Sequence, residues 1–277
     1  MKRVTAADLY DKKAKGEKIT MLTAYDYPLA TIVDRAGVDT VLVGDSLGMV
    51  VLGYESTVPV TLEDMIHHTK AARRGISRAL LIGDMPFLAY HVSDEQAIAN
   101  CGRLFKESGC EMVKLEGGVE MAERVKKIVD MGIPVCGHIG LTPQTSIKLG
   151  GFRVQGKDVA GAQYQYDSAK ALDQAGAQLL VLECVPSPLA KLITETVSMP
   201  TIGIGAGPDC DGQVLVTNDM LGLFDRFQPK FVKKYIDLMP QMDKAVKGYM
   251  KEVQGGKFPG PEHEFKMDES ILAELKR

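Results

Sequence analysis

The chain alternates short apolar runs with longer segments whose apolar residues recur at helical spacing. The runs are 19–26 (ITMLTAYD), Asp39–Gly44, Ala79–Gly83, 110–118 (CEMVKLEGG), 133–140 (IPVCGHIG), 177–184 (AQLLVLEC), 199–207 (MPTIGIGAG) and a shorter Gln213–Thr217. They are nearly continuous in apolar residues and rich in β-branched ones, as strands buried on both faces of a parallel sheet are. Between them the pattern predicts helices over Thr5–Lys15, Tyr27–Ala36 (closed by Gly37), Thr61 to about Arg74, Ser93 to about Ser108, Val119–Met131, Ser168–Ala175 and Pro188–Val197, with a last one over Phe231–Val253. Thr61 followed by Asp64 reads as a capping box. Leu47–Pro59 and residues 139–164 read as long loops, and the glycine-rich second suggests a lid.

Regular alternation of strand and helix is the signature of a parallel sheet with crossover helices. Two architectures satisfy it. An open doubly wound sheet would want a glycine-rich nucleotide turn after the first strand, and LTAYDYP offers none. An eightfold βα barrel typically takes about 250 residues, and the chain has 277. The expectation is therefore a (β/α)8 TIM barrel: one domain over 1–277, with 254–277 a C-terminal tail, turn-rich over GGKFPGPEHEF (255–265), lying over the surface or against a neighbour.

Composition narrows the function. Hydrophobic residues make up 45% and charged residues 25%, an ordinary globular balance. The net charge of -3 leaves no basic excess for phosphates, which argues against nucleic acid as a partner. The five cysteines form no CxxC pair, the amino terminus lacks the apolar core of a signal peptide, and no apolar stretch approaches a membrane span. The expectation is a reduced, cytoplasmic protein without membrane association.

Two of the strands end alike: VLVGDSLG (41–48) and LLIGDMPF (80–87) place Gly44-Asp45 and Gly83-Asp84 at carboxyl ends, where barrels carry their chemistry. Glu116 and Glu183 end two further strands. Carboxylates converging on one mouth repel unless a cation or shared proton relieves them. With no Cys-His cluster, the suited ion is hard and oxygen-seeking, magnesium above all, acting as a Lewis acid on a carbonyl. Glu183 suits a proton-abstracting role. Lys114, two residues before Glu116, points the same way one layer beneath, as charge partner, carboxylate anchor or Schiff-base nucleophile. Blander readings stand beside these: a lone Asp after a strand often caps a helix, Lys114–Glu116 can be a structural ion pair, and Glu183 can satisfy a buried amide. His138 reads as a satisfied interior histidine, and His67 and His68 as part of a charged helix face. GIGAGPDCDG (203–212) lacks phosphate-loop spacing and reads as tight turns bringing backbone close to a substrate or neighbour. Cys184 has no activating base.

These motifs together resemble ketopantoate hydroxymethyltransferase: VGDSLGMVVLGYEST, GDMPF, VKLEGG, GHIGLTPQ, GGFRVQG, LECVP, IGIGAGPDCDGQVLV and PKFVKKY occur in that family's order from about Thr5 to Val253. The resemblance implies a barrel of the phosphoenolpyruvate/pyruvate type. It implies transfer of a hydroxymethyl group from 5,10-methylenetetrahydrofolate to 3-methyl-2-oxobutanoate, giving 2-dehydropantoate in pantothenate and coenzyme A synthesis. It implies Mg2+ on Asp45, Asp84 and Glu116, the keto acid on Asp45, Ser46, Asp84 and Lys114, Glu183 as proton acceptor, and a homodecamer. Competing expectations are a metal-dependent lyase of the same barrel type that uses no folate, and a non-catalytic metal-binding barrel.

Overall fold

The computed structural model describes residues 2–148 and 150–275. Eight parallel strands close into a barrel in sequence order: β1 (Ile19–Thr23), β2 (Thr40–Val43), β3 (Leu80–Asp84), β4 (Met112–Glu116), β5 (Val135–Gly140), β6 (Leu179–Glu183), β7 (Thr201–Ile204) and β8 (Gly212–Leu215), with β8 pairing back onto β1. Helices alternate with them: α1 (Ala6–Lys15), α2 (Tyr27–Ala36), α3 (Leu47–Val50), α4 (Leu62–Gly75), α5 (Asp94–Ser108), α6 (Ala122–Asp130), α7 (Val159–Gln174), α8 (Ser187–Thr196), α9 (Thr217–Met220), α10 (Met239–Gln254) and α11 (Glu269–Leu275). No helix among the described residues is long and apolar enough to cross a membrane.

Side chains alternate across each strand, so every strand feeds two cores. One fills the barrel with Met21, Leu42, Leu80, Ile82, Met112, Cys136, Leu179, Val181, Ile202 and Val214, and Val4 with Leu9 of α1 belongs to the same cluster. The other lies between strands and helices, where Val41, Val43, Leu81, Val113, Leu115 and Leu180 meet Val33, Met65, Leu104, Val125, Leu172 and Ile193. Each fully buried side chain of this size contributes roughly 1.5–3 kcal/mol. The same alternation decides the site: in β4 Met112 faces the barrel interior, so Lys114 and Glu116 do too, and apolar filling gives way to charge toward the carboxyl ends.

Helix ends follow local chemistry. Thr61 caps α4 in a full capping box with Asp64, and Ser93 caps α5. Three expectations are corrected. The stretch after Asp45 is not all loop, because α3 forms at once from Leu47. The segment 139–164 is shorter as a loop than its glycines suggest: β5 runs to Gly140, a 3-10 turn spans Pro143–Thr145, and α7 starts at Val159, where Asp158 caps the N–H of Gly161 at 2.8 Å. The last long helix starts at Met239 rather than Phe231, because the chain before it is tied to the end of α9 by Tyr235 N–H to Met220 O and Leu238 N–H to Leu221 O. Beyond the turn-rich 255–265, α11 occupies Glu269–Leu275.

Candidate active site

Strand register sets the charged layer. Asp84 is level with Lys114 across β3–β4, Glu116 with His138 across β4–β5, and Gly140 with Glu183 across β5–β6. The two Gly-Asp repeats are not equivalent. Val43 is level with Gly83, so Asp84 closes its strand with its side chain inward, whereas Asp45 sits one residue further on, in the turn into α3. They nonetheless meet: the Asp45 N–H donates to Asp84 Oδ2 at 3.3 Å. Asp45, Asp84, Lys114, Glu116 and His138 are all at most 4% exposed.

Lys114 Nζ stands among the carboxylates, 2.7 Å from both oxygens of Asp84 and 3.9 Å from Glu116 Oε1. This geometry makes it a charge partner. Burial opposes its charge, but Asp84, Glu116 and Asp45 outweigh burial and raise its pKa. One ammonium does not balance three acids. Burial, then the charges of Asp84 and Glu116, pushes Asp45 well above the usual carboxylate range. Asp84 is raised by burial and Glu116 despite Lys114.

His138 bridges the site rather than filling the interior silently. Its Nδ1 lies 3.4 Å from Glu116 Oε1 and its Nε2 lies 3.2 Å from Glu183 Oε2, at ion-pair distance though neither contact has hydrogen-bond direction. Burial and Lys114 oppose its protonation, but the two carboxylates prevail and His138 is pushed up to about 9. Burial works against Glu116 as well, yet His138 and Lys114 draw it below its ordinary value.

Three residues were not foreseen. Gln144, just past β5, donates from Nε2 to Asp45 Oδ2 and Met85 O, both at 2.9 Å, and its N–H donates to Glu116 Oε2 at 3.1 Å. Tyr90 donates to Gln144 Oε1 at 2.7 Å. The Tyr25 hydroxyl meets Ser46 Oγ at 2.8 Å, which fixes Ser46 beside Asp45. No spacing rule marks these residues, because the contacts join distant loops.

Whether this set fits a divalent cation can be judged from the donors themselves. Three buried carboxylates in one place are hard oxygen donors with surplus charge, and Glu116 Oε1 is buried without a hydrogen-bond partner. The donors suit such an ion. They are not drawn up as ligands, however: among the described residues no three His, Cys, Asp or Glu side chains stand in ligating geometry, and Lys114 lies within reach of two of the acids. Asp45, Asp84, Lys114, Glu116 and His138 line one cavity of about 780 Å³, with Ser46 and Glu183 on its wall.

A closed parallel barrel with its acids at the carboxyl ends defines a class. Solved structures share the fold: phosphoenolpyruvate phosphomutase from Streptomyces platensis subsp. rosaceus superposes with a TM-score of 0.61 at 12% identity, over 98% of this chain and 94% of that one. A 2,3-dimethylmalate lyase described as a PEP mutase/isocitrate lyase superfamily member superposes with a TM-score of 0.59 at 15% identity, over 98% and 94%.

The sequence narrows this further. The family described as Ketopantoate hydroxymethyltransferase matches residues 3–261, and the chain belongs to it. Relatives named 3-methyl-2-oxobutanoate hydroxymethyltransferase include one from Syntrophomonas wolfei, 58% identical over 275 residues that cover 99% of this chain and 100% of the relative. Another, from Dehalococcoides mccartyi, is 56% identical over 275 residues, covering 99% and 98%. The protein is an enzyme of the hydroxymethyltransferase type, and the non-catalytic expectation is set aside.

Proposed function

We propose that the whole chain acts as one barrel domain that transfers a one-carbon unit from 5,10-methylenetetrahydrofolate to 3-methyl-2-oxobutanoate, giving 2-dehydropantoate and tetrahydrofolate with uptake of one water. Asp45, Asp84 and Glu116 would hold Mg2+, and Asp45, Ser46, Asp84 and Lys114 would hold the keto acid. Bound there, the ion supplies Lewis-acid polarisation of the keto group. Lys114 presents its ammonium to the substrate carboxylate, as a charge-assisted bond that replaces part of its bond to Asp84. Ser46, held by Tyr25, donates its hydroxyl to the same carboxylate. Glu183 takes the proton from C3 of the keto acid, and His138 keeps that carboxylate turned into the cavity. The resulting nucleophilic carbon forms the new C–C bond with the one-carbon unit, both C–N bonds of that unit break, water supplies the hydroxyl group, and the two folate nitrogens take up the second water proton and the proton removed from C3. Lys114 forms no Schiff base in this scheme.

The observation that carries the reading is that one buried lysine stands beside the acids on which the family's chemistry would rest, with Glu183 on the wall of the same cavity. Isotopic exchange of the C3 proton of 3-methyl-2-oxobutanoate tests it, because exchange needs no folate. Exchange and transfer should both stop with chelator and return with Mg2+; full turnover in chelator, or product formed without any one-carbon donor, would sink it.

The assembly and the location are inferred with the function. On α10, Met242, Val246, Tyr249 and Met250 are all half-exposed. That apolar stripe supports a multi-subunit enzyme, a decamer as the family resemblance implies. We place the enzyme in the cytoplasm, working without nucleic acid or membrane.

A further inference from the structure

The cavity is larger than a small branched keto acid needs, since about 780 Å³ lies in the range that holds drug-sized ligands. Its outer part is built differently from the charged floor. Phe152, Phe224, Phe227 and Phe231 line it, and Phe227 lies 6.0 Å from Phe152 and 6.3 Å from Phe224, centroid to centroid. Phe231 is seated on the backbone of Gly205 at the end of β7. Gly205 has φ +65°, and a Cβ there would fall 2.8 Å from the Phe231 ring. The GIGAG turn thus serves to bring backbone against an aromatic wall, not to hold a phosphate.

One acid stands in this apolar surround. Asp45, Asp84, Glu116 and Glu183 are each engaged by Lys114, Gln144 or His138. Asp219 lines the same cavity, and among the described residues its carboxylate has no hydrogen bond and no ion pair. It lies in the first turn of α9 but caps nothing there, since α9 has no side-chain cap bond. Its charge is felt, with that of Asp45, at the Tyr25 hydroxyl that holds Ser46, so it stands on the substrate side of the barrel mouth. Burial alone pushes it up to about 6. A carboxylate kept half-desolvated without a partner lacks its bonding complement.

We propose that Asp219 and the aromatic wall of Phe224 and Phe231 form the subsite for the head of the one-carbon donor. They would take a flat heteroaromatic ring that offers two adjacent N–H groups to the carboxylate and its face to the phenyl rings. A carboxylate accepts such a pair through both oxygens, and aromatic side chains hold planar rings by offset or edge contact. The reduced pterin of tetrahydrofolate, with a ring N–H beside an exocyclic amine, is of this class. The assignment rests on the folate reading above and deepens it by naming the residues that select the donor.

The test separates donor binding from keto-acid chemistry. In Asp219→Asn, Kd for tetrahydrofolate by calorimetry, measured with Mg2+ and keto acid present, should rise about tenfold or more, since hydrogen bonds to a charged acceptor are lost. KM for the donor should rise with it, while C3–H exchange continues. Phe224→Ala should show the same split. Unchanged tetrahydrofolate affinity in both variants, with exchange intact, would overturn the assignment. So would parallel loss of exchange and donor binding, which would make Asp219 a structural residue. Wild-type enzyme that exchanges the C3 proton yet binds no tetrahydrofolate would refute the folate reading itself, and the subsite with it.

Discussion

Lys114 and Asp84, level with each other on adjacent strands, form a deeply enclosed ion pair: Nζ lies 2.7 Å from both carboxylate oxygens, with the side chains 5% and 2% exposed. Removing one partner of a buried pair leaves an uncompensated charge, a loss of roughly 3–5 kcal/mol, whereas removing both can be nearly neutral. Lys114→Met should therefore lower the Tm and abolish keto-acid binding. Adding Asp84→Leu should restore much of the Tm and none of the activity. A double variant no more stable than Lys114→Met would contradict this account of the pair.

Among the described residues the Glu183 carboxylate meets His138 alone, its Oε2 3.2 Å from Nε2. Replacing it with Gln keeps the shape and removes the proposed base. General acid–base catalysis is typically worth about 10²–10⁴-fold, so C3–H exchange should fall by that order while the keto acid still binds by calorimetry. Exchange at the wild-type rate would transfer the role elsewhere.

Gln144 joins both sides of the acid cluster through Asp45 and Glu116. Gln144→Ala removes the hydrogen bond to Asp45 Oδ2 while the Tyr90 hydroxyl keeps the backbone of Glu116, and an unsatisfied buried group costs roughly 1–3 kcal/mol. Loss of a group that orients metal ligands typically weakens metal affinity about 10–100-fold. Mg2+ titrated against activity should show that shift. If half-saturation does not move, Gln144 contributes stability only.

Acid stability should depend on Asp34 of α2, far from the chemistry. Its carboxylate accepts the N–H groups of Ala79 (2.8 Å), Ser77 (2.9 Å) and Arg78 (3.1 Å) and the Ser77 hydroxyl (2.7 Å). Burial raises its pKa, but these donors prevail and hold it below the usual carboxylate range. A folded pKa below the unfolded value, about 3.9, gives stabilisation that is complete above that pH and lost as pH falls through the folded value. Asp34→Asn should cost on the order of 1–3 kcal/mol at neutral pH, with the deficit shrinking below about pH 4. Urea curves that stay parallel from neutral to acid pH would rule this out.

Much of the frame was legible in the residues. Strand runs with no polar face, the cap at Thr61 and the closing Gly37 are local signals, and each is realised where the pattern placed it. Glycines misled in 139–164, where Asp158 caps a helix that tolerates Gly161 in its first turn. The last helix was placed too early because the apolar spacing from Phe231 carries no mark of the long-range bonds to Met220 and Leu221 that hold that stretch out of a helix.

The candidate site divides the same way. Period-two alternation put Lys114 and Glu116 on one face, and position at strand ends singled out Asp84 and Glu183, because both depend on neighbours along the chain. That Asp45 lies one step past its repeat partner, that His138 spans Glu116 and Glu183, that Gln144 reaches Asp45, and that Asp219 shares their cavity depend on strand register and barrel closure. Those contacts link residues up to 99 positions apart, as between Asp45 and Gln144. Sequence pattern determined which side chains face the barrel; only the closed sheet, by fixing which strand ends are neighbours, decided which charges meet.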